Sequence, residues 1–157
     1  MADLKQKYGS KVDMTMTLAS LADAGAREST AVDNGTNLFN DVQVGGFLKA
    51  GASGVSATGY VNIWAYASAD DGTTYSDAAT GTDSAHTLNG NAVLLGVVEL
   101  NANAETAEFG LMSIAQAFGG AVPEDWGIII ENQSGAALDS TEGNHDLHYK
   151  GIHYQSV

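Results

Sequence analysis

The chain has no cysteine, a single proline, and only six lysines and arginines against nineteen acids in 157 residues. Without cysteine there is no disulfide and no thiolate metal site, so stability has to come from packing or from partners. A net charge of −13 disfavours nucleic acid, because phosphate neutralisation by Lys and Arg supplies most non-specific affinity. No apolar run approaches the roughly 18 residues of a membrane-spanning helix. The opening Met1-Ala-Asp-Leu-Lys-Gln-Lys-Tyr has no signal-peptide apolar stretch, so the expected product is made in a cytoplasm, remains soluble and contacts no membrane.

What is present reads as one all-β domain. Of the apolar residues 24 are alanine, which points to a thin two-layer core rather than a thick one. Helical periodicity is nearly missing, and 19 glycines mark turns. Val12 to Leu18 alternates apolar and polar residues in strict period two, the cleanest strand signal in the chain. Residues 21–37 read as a long ordered loop or an edge strand, and 38–50 resumes strand character. Residues 59–68 form a strand with Val61, Ile63, Ala65 and Ala67 on one face and Tyr60, Trp64 and Tyr66 on the other, followed by a hairpin turn with Asp71-Gly72 at its tip. Ala92 to Leu100 reads as a buried strand, Ala107 to Met112 as extended, and Ser113 to Phe118 as a single helical turn. Ile128, Ile129 and Ile130 supply another buried strand, and residues 144–154 the last.

Seven or eight strands at such spacing predict an antiparallel β-sandwich, jelly-roll-like or immunoglobulin-like. Residues 1–11 are set apart as an N-terminal arm before a single domain over 12–157. The charge supports that division: residues 1–50 carry a net −1, with Lys5, Lys7, Lys11, Arg27 and Lys49, whereas residues 51–157 carry −12. The expectation is an end that docks on a partner and an acidic body that faces solvent.

Residue types able to do chemistry are scattered. His145, His148 and His153 lie near Glu142 and Asp146, but on a strand they divide between two faces, so they read as polar strand residues rather than metal ligands. Asp70, Asp71 and Asp77, and Asp139 with Glu142, lack the alternating acids of a calcium loop and read as turns. No Gly-x-Ser-x-Gly context marks a nucleophile, no two glutamates are marked as facing one another, and no glycine pair sits in a phosphate loop. No catalytic residue, cofactor or metal is therefore expected. Tyr60, Trp64 and Tyr66 fit a core cluster, a sugar-stacking platform or an interface anchor.

Residues 27–37 (RESTAVDNGTN), 69–75 (ADDGTTY) and the stretch from Phe109 through Val122-Pro-Glu-Asp-Trp-Gly to His145 resemble small virion structural proteins of tailed bacteriophages. The resemblance extends over nearly the whole length. It implies a non-enzymatic capsid decoration, or cement, protein with a β-sandwich fold. Such a protein sits on the outer surface of the head, binds the major capsid protein where its subunits meet, and is a homo-oligomer, dimer or trimer. With that implication, Lys5, Lys7 and Lys11 become the expected capsid contacts, with Tyr60, Trp64 and Tyr66 as a second partner-binding set. The alternative is a tail- or fibre-associated module that grips a host glycan through that aromatic face.

Overall fold

The computed structural model describes residues 3–156. Its strands are β1 (Leu4–Tyr8), β2 (Val12–Asp13), β3 (Ala26–Glu28), β4 (Val32–Asp33), β5 (Asp41–Lys49), β6 (Tyr60–Ser68), β7 (Ser84–His86), β8 (Val93–Glu99), β9 (Thr106–Ser113), β10 (Asp125–Gln133) and β11 (Asp146–Ser156). Two four-residue helical turns, α1 (Asn34–Asn37) and α2 (Ile114–Ala117), and two 3-10 turns, Ser76–Ala78 and Glu142–Asn144, complete the regular structure. Every strand pairing is antiparallel. One sheet runs β1-β11-β5-β9 with β2 added on β11, and the other runs β7-β3-β10-β6-β8 with β4 added on β10. The molecule is a two-sheet antiparallel sandwich.

The main core lies between the sheets. Val42, Val44 and Leu48 of β5 and Leu147 and Tyr149 of β11 meet Val61, Ile63 and Ala65 of β6 and Trp126, Ile128 and Ile130 of β10. Trp126 is fully buried and stands edge-on to Tyr149, with ring centroids 5.4 Å apart. The triple isoleucine is explained by a second, smaller core on the outer face of the six-stranded sheet, where Ile129 packs with Tyr66 and Ala79. A strand covered on both faces reads as an unbroken apolar run, which is what residues 128–130 show.

The period-two segment behaves differently from a ladder strand. Met14, Met16 and Leu18 are buried and Thr15 and Thr17 exposed, as the alternation predicts, but only Val12–Asp13 pairs with β11. Beyond it the backbone bridges the two layers. Met14 donates to the Leu147 carbonyl, Thr15 accepts from Thr30, and the amides of Thr17 and Leu18 donate to the carboxylates of Asp83 and Glu142. The extended segment closes one side of the sandwich without joining either sheet there.

The run Ala92 to Leu100, expected as a buried strand, instead provides the edge strand β8 (Val93–Glu99): β8 pairs with β6 alone, and Leu94 and Val97 are exposed. A bulge that inserts Leu95 between the partners of Ile63 and Trp64 fixes which side chains turn outward. The edge strand of the other sheet carries a bulge as well, at Gly110–Leu111, where Leu111 takes a left-handed φ of 59° and is 79% exposed. The Asp71-Gly72 tip forms as expected, with φ of 53° and 70°, a primed turn that matches the strand twist.

The close contact of Gly127 with Tyr66 tests the packing. These residues are cross-strand partners, and the Tyr66 ring fills the space that a Cβ on residue 127 would take. Because Tyr66 is fully buried and its hydroxyl donates to the Ser29 carbonyl at 2.6 Å, the ring has nowhere to move. Gly127→Ala is expected to destabilise the fold by about 1–3 kcal/mol, read as a lower denaturation midpoint in urea.

Candidate functional site

Two surfaces of this fold differ from the rest. The first is a two-stranded ribbon. β1 pairs with the last five residues of β11, from Leu4 opposite Ser156 to Tyr8 opposite Ile152, and all five residues of β1 are exposed. Directly opposed residues point the same way, so Lys5 and Lys7 share a side with Gln155 and His153, and Leu4, Gln6 and Tyr8 share the other with Ser156, Tyr154 and Ile152. One side of the ribbon is therefore basic, and the other presents Leu4, Tyr8 and Tyr154 at 56–73% exposure. Lys11 stands apart from these lysines. Its ammonium bridges Asp146 at 2.9 Å and Asp13 at 3.0 Å, which fastens the base of the ribbon and raises the Lys11 pKa through the Asp146 bond first and the Asp13 bond second.

The second surface is the outer face of the six-stranded sheet beside its β8 edge. Strand register puts Tyr60, Asn62 and Trp64 of β6 next to Glu99, Val97 and Leu94 of β8 on one side and Gln133, Glu131 and Ile129 of β10 on the other. Tyr60, Leu94 and Val97 are exposed and Trp64 is half-buried. The Glu131 carboxylate organises the middle of the face, accepting from Asn62 Nδ2 at 2.8 Å, Trp64 Nε1 at 3.2 Å and Gln133 Nε2 at 3.0 Å. The result is an apolar strip with an ordered polar band along it. Tyr66 belongs to the same face but is fully buried under residues 76–91, so it offers no surface.

Most of the acids and histidines that sequence spacing singled out are engaged within the chain. Asp70 accepts from Ser68 Oγ and the Thr74 amide, Asp139 from the Thr141 amide and Asn144 Nδ2, and Glu142 from the amides of Leu18 and Ala19. His145 contacts the Asp139 carbonyl and His148 contacts Asp146. Among the described residues no group of three or more His, Asp or Glu is arranged to hold a metal ion. The fourth histidine, His86, carried no motif. Its side chain lies buried between the carboxylates of Glu28 and Asp77, an arrangement that local spacing does not reveal because Glu28 comes from β3, far from the connection that carries Asp77 and His86. The exposed strip was equally hidden, since an edge strand and a central strand share one apolar signature. No protein-family model matches the chain, and no curated protein matches it.

The carboxylate environments have a pH consequence. Burial pushes the Asp83 carboxyl up, but hydrogen bonds from Arg27 and Thr17 outweigh it and leave the group below its ordinary value. Burial likewise opposes the lowering of Asp146, where bonds from Lys11 and His148 prevail. Asp70 is lowered first by the Ser68 hydroxyl, and Asp139 first by the Asn144 amide. Two acids go the other way: Asp71 raises Glu124, and burial followed by Asp33 and Asp71 raises Asp125, whereas Asp33 itself is lowered by the Thr36 hydroxyl and amide.

A lowered carboxyl stabilises the fold above its unfolded value and ceases to do so as pH falls through its folded value; a raised one stabilises only on the acid side. The lowered groups prevail in number, so the melting temperature is expected to drop as pH falls below about 4, measured by thermal circular dichroism. At pH 7 Glu124→Gln is expected to raise the melting temperature by removing repulsion from Asp71.

Proposed function

We propose that the protein is a structural component of a tailed-phage virion, a decoration protein that binds the outer surface of the assembled head and stabilises the major capsid lattice. On this reading it is non-enzymatic, takes no cofactor, contacts neither nucleic acid nor membrane, and acts as a homo-oligomer. It is made in the host cytoplasm and resides on the outer capsid surface.

The observation that carries the proposal is the β1/β11 ribbon. A strand with every residue exposed gains nothing from the protein's own core, and an unsupported two-stranded ribbon is marginal in water. Such a strand makes sense as a docking element, and its lysine-bearing side suits an acidic capsid surface. The sequence resemblance to small virion proteins points to the same partner. The mechanism is mass action: a protein that binds only the assembled lattice shifts the lattice equilibrium toward assembly by its binding free energy.

A second reading, a glycan-binding module at the tail, is favoured by the exposed Tyr60 beside Asn62 and the Trp64 edge, since an aromatic face next to amides is how sugars are stacked and oriented.

The test is co-sedimentation with expanded heads of the phage that encodes the protein. Charge reversal of the ribbon, Lys5→Glu with Lys7→Glu, leaves the core untouched and is expected to abolish occupancy, whereas Tyr60→Ala is expected to leave it unchanged. Full occupancy with the reversed ribbon contradicts the assignment, and glycan-array binding lost in Tyr60→Ala supports the second reading.

A further inference from the structure

The sandwich has four sheet edges, β1 and β9 in one sheet and β7 and β8 in the other. A free edge is a template for another strand, and proteins blunt it with short length, lysine or proline. β7 is only three residues long, and β1 carries Lys5 and Lys7. β8 (VLLGVVE) and β9 (TAEFGLMS) are seven and eight residues long and contain no lysine, arginine or proline. These two unguarded edges meet on one side of the molecule. Met112 of β9 reaches across to Gly96 of β8, where a Cβ would lie 2.7 Å from the methionine methyl, so the two edges form one continuous side.

Between them is an open groove of about 410 Å³, lined by β8 at 93–95, β9 at 111–113 and α2. No lining residue is charged, although the chain carries nineteen acids. Leu94, which lines the groove, and Val97 stand exposed on the outer face, because the bulge at Leu95 turns both the same way although they are three positions apart. Leu111 is the sharper observation. It is 79% exposed and adopts a φ of 59°, which is costly for a residue with a Cβ, while the adjacent Gly110 is not the left-handed residue. Leu38, the other exposed left-handed leucine, caps the end of α1, whereas Leu111 ends no helix. A leucine that is both strained and hydrated contributes little to the single chain and gains on leaving water.

We propose that this side is a two-fold contact between two copies of the chain, with β8 running antiparallel to β8 of the second copy. The contact gives the homo-oligomer of the proposed reading a surface without depending on the capsid assignment. Charge selects this occupant. A chain of net −13 repels its own copy in most orientations, and here the two meet neutral against neutral. A two-fold contact uses the same patch on both copies, so the patch has to complement itself. With the axis between Leu95 and Gly96, Leu94 faces Val97 of the second copy and Val97 faces Leu94 of the second copy. The one acid of β8, Glu99, then lies at opposite ends in the two copies, about 20 Å apart along the strands and largely screened at physiological salt. Glu108, the acid of β9, lies outside the groove.

The test is sedimentation equilibrium of the purified full chain between about 1 and 100 μM in physiological salt, without phage heads, so that the outcome is independent of capsid binding. The native chain is expected to sediment at twice its mass of 16.2 kDa. Leu111→Gly removes the apolar side chain and relieves the left-handed strain. It is expected to weaken association about ten-fold or more, while its unfolding midpoint at low concentration is no lower than that of the native chain. Val97→Lys guards the β8 edge and is expected to weaken association at least as much. Added salt is expected to strengthen native association by screening the repulsion between two acidic bodies. A native mass other than two chains overturns the proposal, and so does association that either variant leaves intact. Association that salt weakens points to the ribbon lysines on an acidic copy and overturns it as well.

Discussion

Main-chain N–H groups outside the sheet ladders need acceptors, and in this protein carboxylates supply many of those that main-chain carbonyls do not. Glu142 takes the amides of Leu18 and Ala19, Asp83 that of Thr17, Asp77 those of Asn89 and Asn91, Glu105 those of Asn101 and Ala102, and Asp41 that of Ala115. A sandwich of this size with few helices leaves long connections in which main-chain carbonyls take only part of the amides. A charge-assisted bond to a carboxylate is about twice as strong as a neutral one, so acidic residues are efficient loop anchors. Roughly half of the nineteen acids accept at least one such amide. The net charge of −13 is thus in large part a by-product of how the loops are held.

That changes how the surface reads. Lys11 and Arg27 are drawn into pairs with these acids, and Lys49 lies 3.8 Å from Asp139. Lys5 and Lys7 stand on an exposed ribbon that has no core of its own. The apolar strip at Tyr60, Leu94 and Val97 lies on the other sheet, in a different setting from the ribbon. On the proposed reading the ribbon is the side that meets the capsid.

Much of the architecture was legible in the sequence because it rests on local pattern. The two-faced strand at 60–68, the Asp71-Gly72 tip and the helical turn at 114–117 appear where those signals place them, and Val12 to Leu18 keeps its buried–exposed alternation although only Val12–Asp13 pairs as a strand. Features that depend on distant residues were not legible. Val93–Glu99 has the composition of a buried strand, and its place at the sheet edge follows from strand order, which short runs do not encode. Tyr66 shares a face with Tyr60 and Trp64 in the register, yet a segment ten residues downstream buries it. The Glu28–His86–Asp77 cluster is invisible for the same reason: each member is one polar residue in a polar stretch until the chain folds.

About half of the acidic side chains thus act as internal fastenings and not simply as charge turned to solvent. The most direct measurement is urea denaturation at pH 7 of Asp83→Asn beside Glu99→Gln, which remove the same unit of charge. Asp83 ties Thr17, Arg27 and its own loop together, whereas Glu99 is exposed on the edge strand. Asp83→Asn is expected to lose about 2 kcal/mol of stability and Glu99→Gln essentially none. Equal effects, or stabilisation by both, would contradict it.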